Sequence, residues 1–456
     1  VPALWMHSSV VSGTGPVPWS APWMPQFGLE WGFGLDGLNS APVLLTALLA
    51  PLVLLMWTSV EKTSAVVLVS LEIAFLQGCF LSSNFLQWFL FYELTLVPVF
   101  LLIKFFGDSD RDAAALRFFV FTVLGSLPML AAFLWIFSKA GSFDFARLSE
   151  LSATGELAKW IEPYGNLAFW CVLIGLAVKM PLLPLHSWMP AAYRSAPTPV
   201  TVLMTALMSK LGVYGLVRLV VPVFPEQLAQ HSSLLTGVAV VTVLYGALAA
   251  LRQSDMKMVL VYSSLSHVAY CAVAVFAIGA GTGIATMVAE REAALQGALL
   301  QVFNHGMTAA ALFVIWEQIW GSAGTRRLED FGGLRTRMPR MALLAGCAIF
   351  ASIGLPGLNG FVSEFLVFKG AFPLQPGWIS LAGVALVLTA LYLLRLYHGV
   401  FWGPLSGQSS EVKPAGFETS LAAMVLLFFC VIAGVAPAWV ANPIAVSVGQ
   451  LLALHP

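Results

Sequence analysis

Charge is what this chain has least of. Its 456 residues include 22 Lys and Arg and 22 Asp and Glu, together 10%, against 59% hydrophobic residues. A soluble domain carries roughly 25% charged residues, so the balance excludes a soluble enzyme held by an anchor. The formal net charge is zero, which implies no nucleic-acid or acidic partner, because those are met by an excess of basic charge. Cysteine is scarce as well. Cys79, Cys171, Cys271, Cys347 and Cys430 lie far apart in apolar stretches, and no CxxC spacing occurs. No metal or iron–sulfur site is suggested, and the five read as small apolar fillers. Long polar connections are missing too, so little chain remains for a soluble domain.

What the chain has is length of apolar run. A membrane-crossing helix needs about 20 apolar residues, and roughly twelve runs qualify on that criterion. They lie near 40–58, 63–82, 84–106, 112–137, 164–185, 196–220, 232–251, 258–280, 293–318, 340–373, 377–401 and 418–441. The expected fold is an all-α polytopic membrane protein. Residues 1–10 look like the tail of an apolar segment without a basic stretch before it. A missing or trimmed start is expected there rather than a signal peptide. Residues 11–39, rich in Pro, Trp and Gly, read as an extramembrane loop.

Twelve crossings divide the loops into two sets. One carries Lys62, Lys104, Arg111, Arg194, Arg252 and the cluster Arg326, Arg327, Arg335, Arg337 and Arg340. The other is mixed: its 138–163 loop sets Lys139, Arg147 and Lys159 against Asp144, Glu150, Glu156 and Glu162. The positive-inside rule places the first set at the cytoplasm or its equivalent. That assignment makes 340–373 a single crossing.

Two spans are interrupted. GLAVKMPLLPLHSWMP has Pro181 and Pro184 directly after Lys179, and ASIGLPGLNGFVSEF has Gly354, Pro356, Gly357 and Gly360 before Glu364. Proline removes a backbone donor. In lipid the freed carbonyls need protein or water, so such breaks occur beside buried or hydrated cavities. Paired broken helices in corresponding halves point to an inverted-repeat transporter. An ordinary packing kink is the plainer alternative for either break alone.

The few charges inside apolar runs carry the functional reading. An ionisable group at the bilayer centre costs at least ~2.5–3.5 kcal/mol and marks an ion or proton path when present. Glu93 lies in FLFYELTLVPVF, with Lys179 on another span as its natural counter-charge. A buried carboxylate must be protonated or paired, so the pair is a two-state element, unless it is a static ion pair. Lys210 sits mid-span in TALMSKLGVYGL and His305 mid-span in VFNHGMTAAALF. A desolvated lysine loads and releases a proton, and histidine passes one between its two nitrogens. Lys257, at the start of a span, is a weaker candidate open to snorkelling. His267 follows it amid Tyr262, Ser263, Ser264 and Ser266 and is weaker too, since a membrane histidine also serves as a helix–helix hydrogen bond. His186 lies just past the first break, where it would line a cavity. Arg395, near a helix end with His398, reads as snorkelling. Together Glu93, Lys179, Lys210, His305 and Glu364 alternate acid and base over several spans, as a proton relay requires. No ligand-sized polar cluster points to a sugar, amino acid or metal substrate.

The strings FYELTLVPVFLLIKFFG, AVKMPLLPLHSWMPAAYRSAPTPV, SKLGVYGLVRLVVPVFP, SDMKMVLVYSSLSHVAY, FNHGMTAAALF and GLPGLNGFVSEF closely resemble the antiporter-like M-type subunits of proton-pumping NADH:quinone oxidoreductase, respiratory complex I. The resemblance runs from about residue 20 to about 440. The wider superfamily includes subunits of multi-subunit cation/proton antiporters and membrane-bound hydrogenases. The M type carries a glutamate in the second broken helix, as Glu364 does here, where the L type carries a lysine. The L type also adds a long lateral helix.

The resemblance implies an antiporter-like fold with two inverted five-helix repeats and two discontinuous helices. Residues 40–456 would form the transmembrane domain, with a first repeat near 63–220, a second near 232–401 and a final helix at 418–441. It implies fourteen spans in the family, and so two N-terminal helices absent or trimmed here. By motif position Glu93 and Lys179 resemble the family's Glu–Lys pair, Lys210 the central lysine, His305 a relay histidine and Glu364 the residue near the exit. It implies no cofactor in this chain; NADH, FMN, iron–sulfur clusters and quinone would sit in partner subunits. Expected partners are the L-type and N-type antiporter-like subunits, the small K- and J-type subunits and the lipid bilayer of a bacterial inner membrane. Where many members read HxWLPDAHxxAP this chain reads HSWMPAAYRSAP, with Ala191 and Tyr193 in place of an acid and a histidine. Those positions lie in the cytoplasmic-side loop, so the change bears on local loop bonding and proton access there, not on the relay itself. Two other functions stay open: a subunit of a Na⁺/H⁺ antiporter or hydrogenase, and a structural membrane subunit without transport.

Overall fold

In the computed structural model, residues 19–455 are described except 28, 58–62, 109, 408, 410, 411 and 413–415. Lys62 and the 1–10 segment lie outside the described residues. The first described element is a two-stranded antiparallel hairpin, β1 (Trp19–Met24) and β2 (Leu29–Phe33). Among the described residues the regular elements after it are all helices.

The helices are α1 (Gly37–Leu55), α2 (Thr63–Leu81), α3 (Phe85–Phe106), α4 (Arg111–Ala140), the short α5 (Phe145–Ala153) and α6 (Glu156–Ile161), then α7 (Gly165–Lys179) and the short α8 (Met189–Ser195). Next come α9 (Thr198–Val223), α10 (Pro225–Arg252), α11 (Met256–Ala277), α12 (Val288–Ala323), α13 (Pro339–Ile353), α14 (Asn359–Leu374), α15 (Pro376–Phe401), α16 (Phe417–Val435) and α17 (Ala438–Leu454). Their starts follow local capping chemistry. Asp36 accepts from the amides of Leu38 and Asn39 while Asn39 bonds back to the Asp36 amide, and Asp255 accepts from Lys257 and Met258 at the start of α11. Each pair satisfies donors that no intrahelical carbonyl reaches.

Each of the twelve apolar runs coincides with helix, but three are not single straight spans. Among the described residues nine helices are long and apolar enough to cross alone. The 164–185 run holds a 15-residue helix, α7, that stops at Lys179. The 340–373 run is two helices, α13 and α14, separated at Gly354–Leu358. The expected final helix at 418–441 ends at Val435, and α17 continues at a 60° bend. Pro437 explains that bend, because it cannot donate to the preceding turn.

The 11–39 loop needs a second correction. Its described part is the hairpin, stacked through Trp23 and Trp31 at 4.4 Å between ring centroids. Gly32 N donates to Gln87 Oε1 at 2.8 Å, and Asn84 Nδ2 donates to the Glu30 carbonyl at 3.0 Å. Proline hid the strands. It is tolerated at a strand edge, and cross-strand aromatic pairs supply the stability.

Burial sorts the helices. α9, α11 and α12 are buried along nearly their whole length, whereas α2, α4 and α15 leave most of one side open. A helix apolar all round belongs in the centre. Lys210, Lys257, His267 and His305 all sit on those three central helices and are themselves buried.

Loops of the basic set meet at one end. Arg326 pairs with Asp108, Arg194 Nε lies 3.9 Å from Asp255, and Asp255 bridges to Arg327. The 138–163 segment meets the hairpin end instead, through Phe145 N to the Ser83 carbonyl at 3.1 Å. The two sets therefore occupy different ends, as the loop charges imply.

Candidate functional site

Lys179 closes α7 at the first break, 2% exposed. Its ammonium donates to Thr95 Oγ1 at 3.1 Å and to the Tyr92 carbonyl at 3.4 Å, and it sits 4.4 Å from the centre of the Tyr92 ring. The expected direct contact with Glu93 is not made: among the described residues no carboxylate oxygen lies within 4 Å of Lys179 Nζ. Helical geometry gives the reason. Tyr92 and Thr95 are three apart and share a face, while Glu93 is turned about 100° from Tyr92. Glu93 is half-buried, and its Oε1 lacks a hydrogen bond.

A second acid fills out this cluster. Glu72, mid-way along α2, is fully buried, and neither carboxylate oxygen has a hydrogen-bond partner. Lys179 acts electrostatically on both Glu93 and Glu72. Sequence reading passed over Glu72, although an acid inside the 63–82 run is the same signal that picked out Glu93.

The chain meets the backbone cost of the first break with a backbone amide from beyond it and with side-chain donors. Pro181 cannot donate to Ala177, whose carbonyl takes Leu182 N at 2.9 Å instead. The Val178 carbonyl accepts the Trp188 indole N–H at 2.9 Å, and the Gly175 carbonyl accepts the Tyr92 hydroxyl at 3.1 Å. Broken helices are stable in an apolar setting only when their carbonyls are repaired in this way. The break packs directly on α9. A Cβ at Gly212 would stand 2.5 Å from Met180 Cβ and 2.8 Å from the Leu176 carbonyl, so only glycine lets α9 approach so closely two residues beyond Lys210.

Lys210 begins a second polar group. Its Nζ donates to the Thr205 carbonyl at 2.6 Å and lies 2.8 Å from His305 Nδ1. The His305 and His267 rings stand 5.4 Å apart. Nδ1 of His267 is 3.1 Å from Glu364 Oε1, and its Nε2 is 3.4 Å from Ser352 Oγ. A small cavity of about 10 Å³ lies among His305, Ser352, Ser263 and Ser264, near the least volume that holds one water. Four ionisable side chains from α9, α12, α11 and α14 thus form a line through the centre of the bundle.

The second break places the last of these groups. Gly354 has φ +82°, a left-handed conformation that suits glycine, and it ends α13. A Cβ there would stand 3.0 Å from Glu364 Oε2, so the missing side chain leaves room for the carboxylate. Asn359 and Asn304 hold the restart of α14 by reciprocal bonds: Asn359 Nδ2 to the Asn304 carbonyl at 2.9 Å and Asn304 Nδ2 to the Asn359 carbonyl at 2.7 Å.

The remaining candidates fall elsewhere. Lys257 does not snorkel: it is 2% exposed and donates to the carbonyls of Ala196 at 2.5 Å and Arg194 at 3.3 Å. His186 packs against Tyr245 at 5.0 Å, away from the central line. Arg395 is exposed and bonds the Leu251 carbonyl, while His398 stacks on Trp402. His267, ranked below His305 in sequence, is the side chain that contacts Glu364.

The transmembrane family described as NADH:quinone oxidoreductase/Mrp antiporter, TM matches residues 82–389, which include Glu93, Lys179, Lys210, His267, His305 and Glu364. This chain belongs to that family. NADH-quinone oxidoreductase subunit M of Rhodobacter capsulatus is 33% identical over 93% of this chain and 82% of its own length. The subunit of the same name from Rickettsia bellii is 30% identical over 94% of this chain and 84% of its own. A chain of respiratory complex I from Thermus thermophilus with bound NADH superposes with a TM-score of 0.86 at 29% identity, covering 99% of this chain and 92% of that one. As an NADH:quinone oxidoreductase/Mrp antiporter family member, the chain has the antiporter-like polytopic helical fold expected from its motifs. Its matched segment begins just after α2, so Glu72 lies outside it.

Proposed function

We propose that this chain is a proton-translocating membrane-arm subunit of a bacterial inner-membrane NADH:quinone oxidoreductase. Lys179 with its two acids, Lys210, His305, His267 and Glu364 carry the protons. Quinone reduction in partner subunits drives the movement, so the chain acts as part of a translocase and needs no redox group of its own. NADH, FMN, iron–sulfur clusters and quinone belong to those partners. The neighbours are L-type and N-type antiporter-like subunits and the small K- and J-type subunits. Two inverted repeats would bring Lys179 and Glu364 to corresponding broken helices.

The observation that carries this reading is the central line itself. The contacts Lys210–His305 and His267–Glu364 pair four buried ionisable groups from four helices, and the two histidine rings stand 5.4 Å apart. Static structure alone does not call for such an arrangement, because buried ionisable groups are expensive. The test is purification through a tag on this chain, followed by NADH-driven proton uptake in liposomes. Co-purification of flavoprotein and iron–sulfur subunits, with pumping lost in Lys179→Ala, supports the reading. Co-purification with antiporter subunits or a nickel–iron hydrogenase alone, or unchanged pumping in the assembled variant, overturns it.

A further inference from the structure

The basic-loop end holds a cavity of about 240 Å³ lined by Lys257, Glu317, Thr198, Asp108 and Arg326. The small central cavity beside His305 is also lined by Leu260, Ala309 and Phe313. These two spaces are stacked. On α12 His305, Ala309, Phe313 and Glu317 recur every four residues and therefore share a face. On α11 Lys257, Leu260, Ser264 and His267 do the same at spacings of three and four. Glu317 to His305 is twelve residues, about 18 Å of helix. Between the outer lining (Lys257, Glu317) and the inner lining (Leu260, Phe313) there is a single helical turn.

We propose that this stack is the proton-uptake route of the subunit, with Glu317 as the collecting acid and Phe313 with Leu260 as an apolar gate. The inference rests on the proton-translocating reading above. Three features carry it. Glu317 is half-buried and oriented, accepting from Trp320 Nε1 at 2.5 Å and from the Thr198 hydroxyl. Its carboxylate faces a cavity whose loops carry the positive excess, the side that the positive-inside rule assigns to the cytoplasm. Phe313 and Leu260, 1% and 2% exposed, are the apolar side chains at the step from one space to the next.

The transfer balances simply. The Glu317 carboxylate takes a proton from hydronium in bulk solvent, releasing water. It gives the proton up past Phe313 to water in the inner cavity, and returns to a carboxylate. With Lys210 uncharged and donated to by Nδ1–H, His305 accepts the proton on Nε2 and passes the one on Nδ1 to the Lys210 amine, which leaves the ring neutral and the lysine charged. An aromatic ring at this step keeps the inner space from standing open to bulk water, which any pump needs if uptake and release are to alternate.

The experiment uses the whole complex, purified and reconstituted in liposomes, with NADH turnover, NADH-driven acidification and passive decay of an imposed pH gradient read in parallel. Phe313→Ala is expected to pump several-fold fewer protons per NADH and to leak faster without NADH. Phe313→Trp is expected to slow pumping without added leak, and Glu317→Gln to slow it several-fold. Leu260→Ala replaces Phe313→Ala if the latter does not assemble. Assembled variants that pump and leak like the wild type overturn the route. A wild-type complex that oxidises NADH without pumping overturns the functional reading instead.

Discussion

The Lys210 ammonium nitrogen lies 2.8 Å from Nδ1 of His305, across 95 residues of sequence. An ammonium group only donates, so Nδ1 accepts while Lys210 is charged, and the neutral ring carries its proton on Nε2. A proton that moves from the lysine to Nδ1 therefore displaces one from Nε2. The contact therefore couples the protonation of Lys210 to the opposite side of the imidazole ring, in either direction, which a carboxylate partner would not do.

Substitution at Lys210 separates proton transfer from simple charge. Lys210→Ala is expected to lower NADH-driven pumping by roughly 10²-fold, the usual scale for removing a positioned proton donor. Lys210→Arg keeps the charge but cannot deprotonate, so it should pump as poorly. Wild-type pumping by an assembled Lys210→Arg complex would leave only a structural role.

His267 tests the other half of the line. His267→Gln retains a donor toward Glu364 yet cannot titrate. Pumping is expected to collapse while the complex remains intact on native gels. If pumping persists, His267 merely orients Glu364.

Glu72 is the acid outside the family match. Glu72→Gln keeps shape and removes the ionisable group near Lys179, and neither oxygen has a hydrogen bond to lose. Pumping should fall with little loss of thermal stability. A marked loss of stability with normal coupling in the surviving complex would make Glu72 structural.

The contact between α7 and α9 makes a stability prediction. Gly212→Ala forces a methyl against Met180 and the Leu176 carbonyl, and overpacking of this kind costs about 1–3 kcal/mol. The midpoint of thermal unfolding in detergent should drop. An unchanged midpoint would mean that α9 can shift away from the break.

The Trp188 indole makes another. Trp188→Phe leaves the Val178 carbonyl without its donor, a loss of about 1–3 kcal/mol for a buried polar group. Increased protease sensitivity near the 180–188 segment is the expected sign, and wild-type resistance would mean that another donor takes its place.

Much of this architecture was legible in the chain. The apolar runs located the helices, because a span is a local property of some twenty consecutive residues. Pro181, Pro184, Gly354 and Gly357 located both breaks, because backbone donors and left-handed turns are local too. The bend at Pro437 carried the same signal and was missed, since apolar residues continue on both sides. The hairpin was missed because its stability comes from pairing Trp23 with Trp31 and from bonds to Asn84 and Gln87, not from its own composition.

By itself the sequence determined that the chain crosses a membrane repeatedly, where its helices break, and which few ionisable side chains lie in apolar surroundings. Only the tertiary structure decided their partners. It set Lys179 against Tyr92 and Thr95 rather than directly against Glu93, brought Glu72 into the same group, and gave His267 to Glu364 across 97 residues. The physical reason is one of range. Apolarity and backbone breaks are fixed by neighbouring residues, whereas a hydrogen bond requires atoms within about 3 Å, and helices distant in sequence reach that distance only when side-chain size and rotation about each helix axis are settled together by packing.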